Sequence, residues 1–137
     1  MSGDLFQAFL AGDDTLRIYR GGKLVFSSQK DRLLPLMDFI STRKDASDNL
    51  VIYDKVMGNA AALLAVVVKV GEVCSPLGSE LAVKTLDRYG IKYRLVKLVP
   101  FIMRDDGQDL CPMEQLSIGK SPEEFYKIMK ARIEAGH

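Results

Sequence analysis

The segment Ala60–Val68 is apolar at every position. A helix that is apolar all the way round has no face to offer water, so it belongs in the middle of a core with neighbours on several sides. A short strand-type run, Leu50–Tyr53, precedes it, and a candidate strand, Glu72–Leu77, follows it beyond Lys69 and Gly71. Strand, buried helix and strand in that order form a crossover unit with two parallel strands. Val66, Val67 and Val68 are β-branched and leave the end of the helix ambiguous.

The flanking patterns extend this unit. Leu5, Phe6, Phe9 and Leu10 recur at helical spacing before Gly12, which predicts a short helix over 4–11. Thr15–Arg20 and Lys23–Ser27 alternate around Gly21-Gly22, the pattern of a tight hairpin. Leu33, Leu36, Met37 and Ile40 mark one helix face, and Pro35 is acceptable there only in a first turn. Ser41–Asn49 reads as a loop. Ser79 is placed to cap a helix whose inner face is Ala82, Thr85, Leu86 and Tyr89, closed by Gly90. Ile91–Leu98 reads as a strand ended by Pro100. Ser121-Pro122-Glu123-Glu124 combines a capping box with proline at the first helical position of a last helix. A hairpin followed by two crossovers implies a mixed sheet whose parallel part is covered on both faces.

Composition bounds the function. With 137 residues, 47% of them hydrophobic, the chain is one globular domain over 1–137 that can hold its own core. Nineteen basic against eighteen acidic residues give no electrostatic footprint for a nucleic acid or a membrane surface. No leader pattern stands at Met1–Leu10, and two cysteines suit a reducing compartment, so a cytoplasmic location is expected. The only histidine is His137, which removes zinc sites with an internal histidine and any serine or cysteine nucleophile paired with histidine within one chain. No metal or other cofactor is expected.

Two places could carry chemistry. The first is Asp54-Lys55-x-x-Gly58-Asn59, where a strand hands over to the buried helix. Strand ends of open α/β sheets bind ligands, free N–H groups at a helix start favour an anion, and small residues let a ligand approach the backbone. The competing reading makes Asp54 a plain cap, with the small residues serving only close packing. The second is Cys111-Pro112-Met113-Glu114. Proline at a first helical position makes Cys111 the cap of a short turn, where backbone dipoles favour a thiolate, and Glu114 could act as general acid or base. The competing reading is a structural thiol before a proline turn. Cys74 reads as core. The cluster Asp105, Asp106 and Asp109 around Gly107 reads as a solvated turn rather than a cation site.

The run Asp54-Lys55-Val56-Met57-Gly58-Asn59-Ala60-Ala61-Ala62-Leu63-Leu64, together with Cys111-Pro112-Met113-Glu114-Gln115, resembles a family of small bacterial proteins, domain of unknown function 1893. That family is a zinc-less branch of the cytidine-deaminase-like fold. The resemblance spans nearly the whole chain and implies a three-layer α/β/α sandwich with a mixed sheet and the hairpin at one side. Zinc deaminases open their first core helix with His-x-Glu and their second with Pro-Cys-x-x-Cys. Here the first opening is Asp54–Asn59 and the second Cys74-Ser75-Pro76-Leu77-Gly78-Ser79, and neither holds the ligand set. Zinc-dependent deamination is therefore not expected. The two openings still frame a possible pocket, so Asp54, Lys55, Gly58, Asn59 and Ser79 are the candidate ligand-binding residues.

Three functional readings follow. The first is a binding module for a small anionic, nucleotide-like or nucleoside-like molecule at the Asp54–Asn59 turn. The second is a cysteine-dependent enzyme with Cys111 as nucleophile or redox centre, Glu114 or Asp54 moving protons and the Lys55 region holding an anionic substrate. The third is an interaction protein forming a homo-oligomer, a state compatible with all three.

Overall fold

Gly21 and Gly22 both adopt positive φ, 57° and 82°, the backbone a two-residue hairpin turn requires. They join β1 (Leu16–Arg20) to β2 (Lys23–Ser28) as an antiparallel pair with a bulge at Ile18/Tyr19. The computed structural model describes residues 2–42, 49–104, 107 and 109–136. The other edge of β1 takes β3 (Leu50–Asp54), also antiparallel. Then β4 (Glu72–Ser79) joins β3 in parallel, and β5 (Lys92–Val99) joins β4 in parallel. Among the described residues the result is a five-stranded sheet in the order β2-β1-β3-β4-β5, mixed as the hairpin and crossovers predict.

Among the described residues six helices accompany it: α1 (Ser2–Ala11), α2 (Leu34–Thr42), α3 (Asn59–Val68), α4 (Glu80–Arg88), α5 (Pro112–Ser117) and α6 (Pro122–Glu134). Pro35 is the second residue of α2, within its first turn. Every residue of α3 except Val66 and Val67 is buried, so the all-apolar segment is the central helix. It stops at Lys69, which turns left-handed at φ 66° and donates its N–H to Ala65 and Val66. Both halves of the Ser121–Glu124 capping box form at the start of α6.

Two clusters fill the interior. Leu16, Ile18, Leu50, Ile52 and Val73 of the sheet pack with α2, α3, α4 and α6. Tyr19, Tyr53 and Cys74 pack with Phe6 and Phe9 of α1. Ile18/Tyr19, Ile52/Tyr53 and Val73/Cys74 are neighbours along their strands, so the two clusters lie on opposite faces of the sheet. Helices therefore lie on both faces of the sheet, unevenly. All helices after α1 contribute to the first cluster or pack against it, and α1 alone provides the second layer. β5 consequently stays largely open to solvent, with Val96 and Leu98 exposed.

Ser41 and Thr42, expected in a loop, extend α2, and residues 43–48 lie outside the described residues. So do Asp105 and Asp106 of the acidic cluster. Around them, Gly107 at φ 71° donates its N–H to the Arg104 carbonyl at 2.8 Å, and Arg104 donates its own to the Asp109 carbonyl at 2.8 Å. Among the described residues, no helix is long and apolar enough to cross a membrane.

Candidate functional site

The chain leaves β3 at Asp54, passes through Met57 and enters α3 at Asn59. Met57 is fully buried and ties this passage to the end of β4. Its N–H meets the Leu77 carbonyl at 2.8 Å, and its carbonyl receives the Ser79 N–H at 3.1 Å. Beside this passage a cleft of about 670 Å³ opens, a size that suits a small metabolite. One wall holds Thr15, Arg32 and Leu33. The other holds Ile102, Met103, Arg104 and the start of α5 from Cys111 to Glu114. Asp54, Lys55, Val56, Gly58, Ala60 and Ala61 lie between them.

Asp54 is the buried acid of this cleft, 8% exposed. Removal from water pushes its carboxyl up to about 7, against the pull of the backbone N–H groups of Val56 and Lys55. Among the described residues no side-chain cation pairs with it, and the nearby Lys55 ammonium is engaged elsewhere. It lies 3.2, 3.4 and 3.3 Å from the carbonyls of Phe9, Leu10 and Gly12 and stacks over the Phe9 ring. Lys55 therefore closes the C-terminal end of α1, where a cation is favoured. Lys55 was expected to hold a ligand's charge; its ammonium is engaged by these carbonyls, and the residue borders the cleft.

The start of α3 does receive an anion, and the chain supplies it. Glu114, 2% exposed, accepts the Asn59 N–H at 2.7 Å on one oxygen and the Ile102 N–H at 2.6 Å on the other. Gly58 makes room for it. A Cβ there would stand 3.1 Å from a Glu114 oxygen and 3.0 Å from Ile102. Glu114, expected as a general acid or base, thus stands as a buried latch between α5, α3 and the segment after β5.

The remaining predicted residues divide. Asn59 is buried and lies outside the cleft lining. Its amide donates to the Ser117 hydroxyl at 3.0 Å, and its carbonyl oxygen accepts from Thr85. Ser79 is fully buried, caps α4 by accepting the Ala82 N–H at 3.1 Å, and also lies outside the lining. Both were expected to touch a ligand, and both instead satisfy helix ends and interhelix contacts. Cys111 is half-buried, precedes α5 as its cap residue without a side-chain hydrogen bond, and does line the cleft. Cys74 is buried under α1, which raises its thiol to about 11. Both thiols are free.

Residues 5–133 match the model of the domain of unknown function 1893. The chain belongs to the DUF1893 family. The crystal structure of a DUF1893 family protein from Thermotoga maritima superposes with a TM-score of 0.84 at 26% identity, covering 96% of this chain and 88% of that one. No curated protein matches it. The family description carries no activity, so the chemistry of the DUF1893 cleft rests on its own residues.

Two of those residues escaped the sequence reading. Arg32 and Arg104 border the cleft, and among the described residues neither forms an ion pair. Arg32 also holds a left-handed backbone, φ 59°, which a residue with a side chain adopts at a cost. No motif announces either arginine. Their place depends on how the start of α2 and the segment after β5 pack around β3.

Proposed function

We propose that this protein binds a small anionic metabolite of nucleotide size in the cleft beside Asp54 and does not deaminate it. The observation that carries the reading is the buried carboxyl of Asp54 bordering a cleft that also holds two arginines, neither of which forms an ion pair among the described residues. Arg32 and Arg104 would take the anionic group, since guanidinium forks suit phosphate and carboxylate. Leu33, Val56, Ile102 and Met113 offer apolar walls to the body of the ligand. The helix-end anion site is not needed for this, because Glu114 occupies it.

We read the architecture as a zinc-less relative of the cytidine-deaminase-like fold. What supports this is the succession β3-α3-β4-α4-β5, with helices opening directly after the first two of these strands. Those openings carry Asn59 and Ser79 in structural roles. The binding test is thermal denaturation and calorimetry with nucleoside monophosphates, nucleosides and inorganic phosphate. Monophosphates should raise the melting temperature, and Arg32→Ala with Arg104→Ala should remove the rise. A melt unmoved by every anion overturns the reading.

A second reading keeps Cys111 as a reactive thiol, because it stands in the same cleft wall. It predicts that iodoacetamide modifies Cys111 far faster than Cys74 and that a bound ligand slows the reaction. Equal rates for the two thiols would remove it.

A further inference from the structure

Asp54 differs from Glu114, the other acid of the cleft lining. Glu114 spends both oxygens on backbone N–H groups of other segments. Asp54 is 8% exposed and borders the cleft, and among the described residues no cationic side chain pairs with it. A carboxylate offers only acceptors, two oxygens in one plane, so a ligand edge that meets it squarely presents two adjacent donors in that plane.

We infer that the ligand of this cleft joins a planar edge of two adjacent N–H donors, read by Asp54, to an anionic group held by Arg32 and Arg104. The inference rests on the binding reading above and adds the ligand's chemical class. Guanine presents such an edge through its ring N–H and its 2-amino group, and no other common base does. A guanidinium presents it too, so a guanine nucleotide and an arginine-like amino acid share the required chemistry. Above about pH 7 Asp54 is ionised without a ligand, and below that point two donors would pull its proton off.

Calorimetry on the intact protein at pH 8 separates the cases. Guanosine monophosphate is compared with inosine monophosphate, which lacks only the 2-amino group, and arginine with citrulline, which replaces the guanidinium by a urea. The two-donor member of one pair should bind roughly tenfold to a hundredfold tighter, the discrimination of a bidentate pair. Whichever pair shows it identifies the source. Asp54→Asn, which swaps an acceptor for a donor, should bring the guanosine-to-inosine ratio to one or below while leaving the dependence on Arg104 intact. If anions bind through the arginines but neither pair is discriminated, this inference is overturned and the binding reading stands. If no anion binds at all, both fall.

Discussion

Asn59 and Glu114 are 55 positions apart in the chain and joined by a 2.7 Å hydrogen bond in the interior. The N–H is a free donor at the start of α3, and the carboxylate is its charged acceptor. Through its second oxygen the same side chain holds Ile102. One residue thus closes a helix end, seats α5 and fixes one wall of the cleft. Glu114→Ala leaves two N–H groups without their acceptor and should cost about 3 kcal/mol, with Glu114→Gln costing less because one acceptor remains. Gly58→Ala, which forces Ile102 and Glu114 outward, should cost about 1–2 kcal/mol. Urea unfolding checks all three. A midpoint unchanged in Glu114→Ala would show that the latch contributes nothing.

Asp54 makes stability depend on pH in an unusual direction for an acid. Its carboxyl sits at about 7 in the folded chain against 3.8 as a free side chain. Between those values the folded state holds a proton that the unfolded state has lost, so rising pH pulls the equilibrium towards unfolding. The contribution is complete below about pH 4, is lost between pH 4 and 7, and is flat above. The span corresponds to a ceiling of about 4 kcal/mol. Asp54→Asn mimics the protonated form and should flatten that slope. The variant should match the wild type at pH 4 and exceed it at pH 8. Unfolding midpoints across that range decide the point, and parallel curves for the two proteins would contradict it.

The sequence was most informative where the deciding contacts are local. Gly21-Gly22 announces a hairpin because the positive φ they adopt is a property of glycine. The uninterrupted apolar run of α3 announces its central place because no residue in it tolerates water. Ser121 and Glu124 announce a helix start because their bonds reach only three residues. The site is different in kind. Lys55 meets α1 across 43 to 46 positions, and Glu114 meets Asn59 across 55. Spacing cannot reveal such pairs, so Lys55 looked like an available cation and Glu114 like an available base. Ser79 was legible as a cap, and its assignment to a ligand set came from the position of the second helix opening.

Lys55 also controls the far face of the sheet. Its ammonium holds the last carbonyls of α1, the helix that covers Tyr53 and Cys74. Lys55→Met keeps the stem and removes the charge, which should cost about 2 kcal/mol and loosen α1 before the rest. Cys74 reports on that opening because it is 1% exposed and its thiol is raised to about 11. In a Cys111→Ser background, alkylation of Cys74 should run about tenfold faster or more in Lys55→Met than in its parent. An unaltered rate would mean that α1 is held by Phe6 and Phe9 alone.

Arg32 should separate stability from binding. Its left-handed backbone at φ 59° costs about 1 kcal/mol for a residue with a Cβ and nothing of the kind for glycine. A strained residue that borders a cleft and forms no ion pair among the described residues fits a group retained for its ligand. Arg32→Gly should therefore unfold at a higher urea concentration than the wild type while binding monophosphates more weakly. Arg32→Lys, which keeps both the charge and the strain, should bind better than Arg32→Gly and gain no stability. If Arg32→Gly instead loses stability, the guanidinium supports the fold. If its binding is unchanged, the anionic group of the ligand is held by Arg104 without it.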